Sequence, residues 1–324
     1  MKTAPRAPVL CIVGPTGVGK SHVGIEVARA VGGEIVSADS MQVYRGMDIG
    51  TAKVTQAEMQ GVLHHGLDLV DPTEPFTVAN WVTHADDAIA GIIRRGRLPI
   101  VVGGTGLYIR AIVEDLDFAR QAGSDSVRAK WEAYLLDHGS EELHRRLCDV
   151  DPASANRLHP NDTRRVIRAL EVAELRGQEL SRTYEWRDKG GRYNTVQVGL
   201  TMDRAALYRR VDARVDAMIS SGLDAEVRRL LDTGCTRDTT AMQAIGYKEW
   251  AAYVTGETGK EEAVAAIKQA TRRLAKRQLS WFMRDARVHW FTVDVTGALP
   301  ANDFQTICDL ALQVGEGIEL ARRE

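Results

Sequence analysis

Short apolar segments alternate with amphipathic segments along the first hundred residues. Apolar runs at residues 9–13, 34–37 and 98–102 have the length of buried strands. Residues 78–95 have the apolar spacing of a helix. Strands that alternate with helices favour parallel β-α-β units and a sheet covered on both faces. We therefore predict an α/β fold with a parallel sheet flanked by helices.

The pattern changes between residues 114 and 191, where strand signals vanish and helices and turns dominate. A helix is predicted at residues 163–176 of this region. Alternating apolar positions return at residues 195–202, and Asp203 is predicted to cap the long helix that follows. Further helices and a strand at residues 288–293 complete the pattern. We predict a core formed by residues 1–113 and 192–324, with a mostly helical insertion domain at residues 114–191.

The first predicted strand leads into the phosphate-loop pattern G-x-x-x-x-G-K-S, and a helical segment follows it. The loop consists of Gly14, Pro15, Thr16, Gly17, Val18, Gly19, Lys20 and Ser21. Backbone N–H groups of such a loop converge on phosphate oxygens, and the helix N-terminus adds its dipole. Lys20 supplies a cation, and the Ser21 hydroxyl is a usual ligand of Mg²⁺. The pattern predicts a P-loop NTPase-like fold that binds a polyphosphate or pyrophosphate with Mg²⁺. It does not decide whether phosphate is transferred.

Polar clusters follow the second and third predicted strands, and the carboxyl ends of parallel strands share one crevice. Asp39 follows the second strand, where it suits a magnesium partner, a general base or an ordinary turn. Residues 103–106 follow the third strand and contain Thr105 but no carboxylate. They suit a second wall around a pyrophosphate, and equally a tight strand-to-helix turn.

The overall charge of the chain does not indicate a nucleic-acid partner, but one segment has a local excess of positive charge. The 324 residues carry a formal net charge of −2, so a nucleic-acid partner requires a local basic surface. The predicted helix at residues 260–282 provides a candidate, because no acid occurs between Ala263 and Arg284 and two aromatic residues follow its cations. A solvated helix face would look the same. The cations of this acid-free run are Lys268, Arg272, Arg273, Lys276 and Arg277.

The sequence contains no apolar stretch of the roughly 20 residues that cross a bilayer and no apolar signal-peptide segment. Its cysteines are scattered, without a C-x-x-C pair. Such cysteines are typical of reduced thiols. We therefore expect no membrane association and a cytoplasmic location.

Several segments together carry a more specific signal. They are the phosphate loop, residues 37–53, residues 103–108, a run from Asn161 to Glu171, residues 243–249 and residues 271–282. In this order they resemble the tRNA dimethylallyltransferases, also called tRNA isopentenyltransferases. The phosphate loop alone is generic, whereas residues 37–53 and the two C-terminal segments are specific. The sequence departs from the family pattern at Val54 and Leu63, where proline is typical, and at residues 119–126.

The resemblance implies transfer of a dimethylallyl group from dimethylallyl diphosphate to N6 of the adenosine 3′-adjacent to the anticodon in tRNA, with release of pyrophosphate. Asp39 would be the general base. The phosphate loop with Lys20, and Mg²⁺ at Ser21, would hold the leaving pyrophosphate. Thr105 and an arginine complete the family's site, and we favour Arg214 over Arg210 for that arginine.

The resemblance also implies contacts with the anticodon stem-loop of tRNA by residues from three regions, and we expect a monomer. The expected contact residues are Asp39, Ser40, Met41, Gln42, Thr105, Arg164, Arg165, Arg168, Gln243, Gly246, Tyr247, Lys276, Arg277 and Gln278.

Three alternatives stay open at this point. An adenylate isopentenyltransferase would prenylate a free nucleotide, but such enzymes lack the full insertion and the basic C-terminal region. A small-molecule kinase of P-loop type would consume ATP. A nucleotide-dependent RNA-binding protein would catalyse nothing, and its role would survive the loss of Asp39.

Overall fold

A computed structural model describes residues 6–114, 116, 124–176 and 191–316 of the chain. Six strands form one sheet: β1 (Pro8–Val13), β2 (Glu34–Ser37), β3 (His64–His65), β4 (Pro99–Gly103), β5 (Asn194–Thr201) and β6 (Val288–Thr292). Their order is β3-β2-β4-β1-β5-β6, and every neighbouring pair is parallel. The predicted α/β fold, a P-loop NTPase-like parallel sheet flanked by helices, is confirmed.

Helices fill the connections between these strands, and one more helix follows the last strand. They are α1 (Lys20–Val31), α2 (Gln56–Met59), α3 (Val78–Arg94), α4 (Gly106–Val113), α5 (Asp125–Val150), α6 (Pro152–Ala155), α7 (Thr163–Arg176), α8 (Arg204–Ser220), α9 (Leu223–Asp232), α10 (Tyr247–Val254), α11 (Lys260–Phe282) and α12 (Ala301–Gly315). Asp203 caps α8 as predicted, since its carboxylate accepts a hydrogen bond from the Ala206 N–H. The edge strand β3 is not predicted, because two residues are too short for a periodic signal.

The core lies on both faces of the sheet. On one face, side chains such as Leu10, Ile100 and Val198 pack with residues of α1 and α12. On the other face, the α3 residue Trp81 stacks on Tyr108 of α4, with ring centroids 4.2 Å apart. The two helix layers cover strands that are buried from end to end, as the continuous apolar runs predict.

The register of the strands brings their carboxyl ends to one edge. Val13 of β1 pairs with Gly103 of β4, and Val102 pairs with Ser37 of β2. The segments that follow these strands are the phosphate loop, residues 38–42 and residues 104–106. The sheet therefore places the three polar clusters of the sequence beside one another.

The chain divides into two compact units. One combines residues 1–115 with residues 190–324, and the other comprises residues 116–189. In the second unit, α5, α6 and α7 enclose a small core that includes Leu143, Val166 and Leu170. Residues 119–123, where the sequence departs from the family pattern, lie outside the described residues. None of the helices that the structure describes combines the length and apolar character that a membrane crossing requires.

Candidate active site

The phosphate loop leaves the carboxyl end of β1, and its last two residues, Lys20 and Ser21, begin α1. Gly14 has a φ of +146°, and a Cβ at this position would lie 2.5 Å from the carbonyl oxygen of Leu200. Gly19, which precedes α1, has a φ of +109°. Side-chain-bearing residues rarely adopt these conformations, so the loop requires glycine at both positions.

Lys20 crosses the phosphate loop, where its ammonium group donates a hydrogen bond to the Pro15 carbonyl over 2.8 Å. Burial lowers the pKa of Lys20 to about 8. The negative charge of Asp39 opposes this shift, and the positive charge of Arg214 adds to it. The ammonium group of Lys20 therefore loses its charge slightly above neutral pH. An anion bound to the loop would stabilise the protonated form of Lys20.

Asp39 lies directly beyond the end of β2 and Ala38. Its Oδ1 accepts a hydrogen bond from the Met41 N–H at 2.9 Å, which fixes the carboxylate in a local turn. Among the described residues, no donor bonds its second oxygen. The carboxylate interacts electrostatically with both Lys20 and Arg214. Asp39 can thus accept a proton at an edge of the sheet that also carries two cations.

Thr105 connects the segments that follow β2 and β4. Its hydroxyl oxygen accepts a hydrogen bond from the Ser40 N–H at 3.0 Å, and its own N–H donates to the Ala38 carbonyl at 3.1 Å. A Cβ on Gly103 would lie 2.1 Å from that same carbonyl oxygen, so only glycine permits the approach. Thr105 therefore holds the Asp39 segment against the loop after β4.

Two arginines of α8 reach the phosphate loop in different ways. Arg210 donates from Nε to the Gly17 carbonyl at 3.0 Å and from Nη1 to the Val295 carbonyl at 3.2 Å. Its guanidinium is thereby used to brace the loop. Arg214 interacts instead with Asp39, and burial lowers its pKa. Of the two, Arg214 is the arginine that shares its surroundings with Lys20 and Asp39.

Gln278 of α11 lies between the phosphate loop and the loop after β4. Its Oε1 accepts a hydrogen bond from the Thr16 N–H at 2.8 Å, and its Nε2 donates to the Gly104 carbonyl at 3.0 Å. The amide therefore has a donor and an acceptor partner within the protein, and a contact of Gln278 with tRNA stays a prediction. The Thr16 N–H likewise bonds Gln278.

The segment 43–53 is held by a residue that the sequence analysis did not identify. The carboxylate of Glu226, on α9, accepts hydrogen bonds from the N–H groups of Asp48, Ile49 and Gly50 over 2.9–3.0 Å. It also accepts one from the Tyr247 hydroxyl at 2.6 Å. An acid within an amphipathic helix normally faces solvent, and no sequence signal distinguishes Glu226 from such an acid.

Three of the residues predicted to contact tRNA have hydrogen-bond partners within this arrangement. Tyr247 is 0% exposed and bonds Glu226, so its ring cannot meet an RNA base in this structure. Gly246 is also buried, and its N–H donates to Glu249. Gln243 is half-buried, and its amide donates to the Arg237 carbonyl. These residues thus support the local structure, and a contact of any of them with tRNA stays a prediction.

Residues 40–42 are half-buried beside Asp39. The Gln42 side-chain oxygen accepts a hydrogen bond from the Ser37 hydroxyl at 3.1 Å, and its amide group approaches the Thr51 carbonyl at 3.4 Å. Ser40 bonds Thr105 through its N–H, whereas no donor or acceptor in the described part of the chain engages the Met41 side chain. A contact of these residues with tRNA stays a prediction.

The arginines of α7 differ in the partners that they have within their own unit. Arg168 pairs with the buried carboxylate of Glu171 at 2.6 Å. Arg165 pairs with Asp162 at 3.1 Å on the surface, and Arg164 is exposed. Arg168 therefore supports the packing of α7, while Arg164 and Arg165 are accessible to a partner.

The basic surface of α11 is smaller than the sequence predicts. Lys268 pairs with Asp216 at 2.7 Å, and Arg272 pairs with Asp212 at 2.7 Å. Both acids belong to α8, more than 50 residues away along the chain. The exposed cations in the acid-free part of the helix are Arg273, Lys276 and Arg277.

Within the described residues, no group of three or more His, Cys, Asp or Glu side chains is arranged to hold a metal ion. Ser21 is exposed in the first turn of α1. Magnesium is commonly bound through few protein oxygens together with substrate phosphates. The Ser21 hydroxyl fits a magnesium ion that arrives with a phosphate ligand, and it does not fit a cage made by the protein alone.

Comparison with known proteins identifies relatives over most of the chain. The sequence matches the IPP transferase family over residues 42–285 and the isopentenyl transferase family over residues 7–68. A tRNA dimethylallyltransferase of Desulforudis audaxviator (strain MP104C) is 52% identical over 290 residues, which cover 90% of this chain and 93% of the relative. One of Symbiobacterium thermophilum is 51% identical over 292 residues, with coverage of 90% and 91%.

Solved structures agree with this assignment. The full-length tRNA isopentenylpyrophosphate transferase of Bacillus halodurans matches at a TM-score of 0.72 and 41% identity, covering 98% of this chain and 100% of that chain. A eukaryotic dimethylallyltransferase acting on tRNA matches at a TM-score of 0.77 and 29% identity, covering 98% of this chain and 80% of its own. The chain belongs to the IPP transferase family, whose curated relatives are tRNA dimethylallyltransferases.

Proposed function

We propose that the protein transfers the dimethylallyl group of dimethylallyl diphosphate to N6 of the adenosine 3′-adjacent to the anticodon in tRNA, and that pyrophosphate leaves. The observation that carries the proposal is the meeting of a base and two cations, Asp39, Lys20 and Arg214, at the phosphate loop of a chain in this family.

The phosphate loop would bind the diphosphate as a leaving group. Negative charge develops on the bridging oxygen as the allylic C–O bond breaks, and preorganised donors and cations stabilise such charge. Lys20 is placed for this role, and the diphosphate would raise its lowered pKa and keep it protonated. We propose Mg²⁺ as the cofactor, held by the Ser21 hydroxyl with the diphosphate; when bound, it would neutralise further charge.

Asp39 would act as the general base. An exocyclic adenine amine is a poor nucleophile, so removal of its proton assists attack on the allylic carbon. The turn through the Met41 N–H occupies Oδ1 and leaves the other carboxylate oxygen for the amine. Arg214 would balance the charge of Asp39 and of the diphosphate. Thr105 would hold the Asp39 segment in place.

A tRNA acceptor is favoured over a free nucleotide by the helical unit at residues 116–189 and by the exposed cations of α11. Phosphate contacts of Lys276, Arg277, Arg164 and Arg165 would position the anticodon stem-loop. The target adenosine would leave the stack to reach Asp39. We further propose that the protein works in the cytoplasm as a monomer. Size-exclusion chromatography with light scattering would test the monomeric state.

The test of the function is an acceptor competition. Purified protein is incubated with Mg²⁺, radiolabelled dimethylallyl diphosphate and either unmodified tRNA or AMP. We expect label on tRNA only, and none when the target adenosine is replaced by guanosine. Label on AMP would move the function to nucleotide prenylation. Absence of label on both, with hydrolysis of added ATP, would refute prenyl transfer and favour a kinase-like activity.

A further inference from the structure

The side-chain amide of Gln278 bridges the two loops that follow the neighbouring strands β1 and β4. Its oxygen accepts from the Thr16 N–H of the phosphate loop at 2.8 Å, and its nitrogen donates to the Gly104 carbonyl at 3.0 Å. The two partners have opposite polarity, so a side chain needs one acceptor and one donor at its end to satisfy both. Among side chains of this length, only the glutamine amide provides the pair without a charge.

A second, independent observation shows that the loop after β4 is built against α11. A Cβ on Gly104 would lie 2.3 Å from Gln278 Nε2, and a Cβ on Gly106 would lie 2.3 Å from Trp281 Nε1. Gln278 and Trp281 are three residues apart and therefore share one face of α11. The glycines of this loop thus permit close packing of its backbone on the helix, in addition to the approach of Gly103 to Ala38.

We propose that Gln278 is a positioning residue that fixes the separation of the phosphate loop from the loop after β4 and thereby sets the width of the diphosphate crevice. The inference rests on the proposed function, because it assumes that the diphosphate binds between these loops. Gln278 acts through the Thr16 and Gly104 backbones and touches no reacting atom. Its predicted effect is on diphosphate binding, whereas a tRNA contact would affect the acceptor.

The experiment compares Gln278→Met with Ser280→Ala in the full-length protein. Methionine nearly preserves the length of the side chain and removes both hydrogen bonds, while Ser280 is exposed on the same helix. Loss of two hydrogen bonds predicts that inorganic pyrophosphate binds roughly 10-fold more weakly by calorimetry. We expect a similar rise in KM for dimethylallyl diphosphate, a kcat within about 3-fold of the original, and an unchanged KM for tRNA. Ser280→Ala should change none of these constants.

A second variant approaches the same contact from the loop. Gly104→Ala places a methyl group where Gln278 Nε2 lies, so it should displace the amide and weaken pyrophosphate binding as Gln278→Met does. This variant keeps the proposal testable if Gln278→Met does not fold, as judged by circular dichroism. A raised KM for tRNA with normal pyrophosphate affinity would overturn the proposal and make Gln278 a tRNA contact. Unchanged pyrophosphate binding in both variants would also refute it.

The calorimetric arm separates this proposal from the function on which it rests. If the original protein fails to prenylate tRNA but binds pyrophosphate, and Gln278→Met weakens that binding, then the positioning role stands and the proposed acceptor is wrong. If the original protein prenylates tRNA and the variants bind pyrophosphate normally, the function stands and the positioning role is wrong.

Discussion

Replacement of Asp39 by asparagine tests the proposed base with little disturbance of its surroundings. The asparagine side-chain oxygen can still accept the Met41 N–H, which Asp39 Oδ1 accepts at 2.9 Å. The turn after β2 is therefore preserved. The substitution replaces the second carboxylate oxygen by an NH2 group, which removes the charge and the basicity of the side chain. Loss of a general base typically lowers the rate by roughly 10²–10⁴-fold, or about 3–5 kcal/mol in the barrier. We expect that loss in kcat, with tRNA affinity largely unchanged.

The electrostatic coupling of Asp39 to Lys20 adds a second expected result. The Asp39 charge raises the pKa of Lys20, which burial lowers to about 8. Without that charge, Lys20 should lose its proton at a lower pH than in the original protein. The alkaline limb of kcat/KM for dimethylallyl diphosphate should therefore move to lower pH in Asp39→Asn.

The assay measures single-turnover and steady-state transfer of label to tRNA between pH 6 and pH 10, with tRNA affinity from filter binding. Asp71→Asn is the matched control, because Asp71 is an exposed carboxylate paired with Arg45. A normal kcat at saturation combined with weaker tRNA binding would contradict the role of Asp39 as base. An alkaline limb that stays in place would contradict its coupling to Lys20.

Three further predictions concern Lys20, Glu226 and Arg277. In the original protein, kcat/KM for dimethylallyl diphosphate should fall above about pH 8, because the free enzyme loses the Lys20 charge there; a flat profile to pH 10 would contradict this assignment. Glu226→Ala should lower the free energy of unfolding, measured in urea, by about 3–5 kcal/mol, because it leaves three backbone N–H groups and the Tyr247 hydroxyl without their acceptor. A loss below about 1 kcal/mol would show that water replaces the carboxylate as acceptor. Arg277→Ala should weaken tRNA binding and make the slope of log association constant against log salt concentration less steep by about 1. Arg272→Ala, which removes the partner of Asp212, should leave that slope nearly unchanged. Equal slopes in both variants would refute the phosphate contact of Arg277.

The main elements of the fold are readable from the sequence because their signals are local. The predicted helices at residues 163–176 and 260–282 match α7 and α11 at both ends. The predicted strand at residues 288–293 joins the sheet beside β5 as β6. Apolar runs and end residues determine such elements within a few neighbouring positions. The two-residue strand β3 escapes prediction, since it depends on pairing with β2.

The site is only partly readable, because several of its properties depend on distant residues. The carboxyl-edge rule predicts that the phosphate loop, Asp39 and Thr105 meet, and the structure brings them together. The pairing of Lys268 and Arg272 cannot be read from α11, since both acids lie on α8. A run without acids is therefore a weak measure of a basic surface whenever another helix packs beside it.

The segments that resemble the family contain two physically different kinds of residue. Asp39 and Lys20 carry charges at the carboxyl edge of the sheet, where a substrate would meet them. Tyr247 and Gln278 instead make hydrogen bonds within the protein. Tyr247 donates to Glu226, and Gln278 bonds backbone groups of the two loops at that edge. Both kinds produce a specific sequence pattern, because a changed charge and an unpaired buried N–H are each costly. Resemblance alone therefore cannot distinguish residues that would act on the substrate from residues that support the structure of the site, whereas their burial and hydrogen-bond partners can.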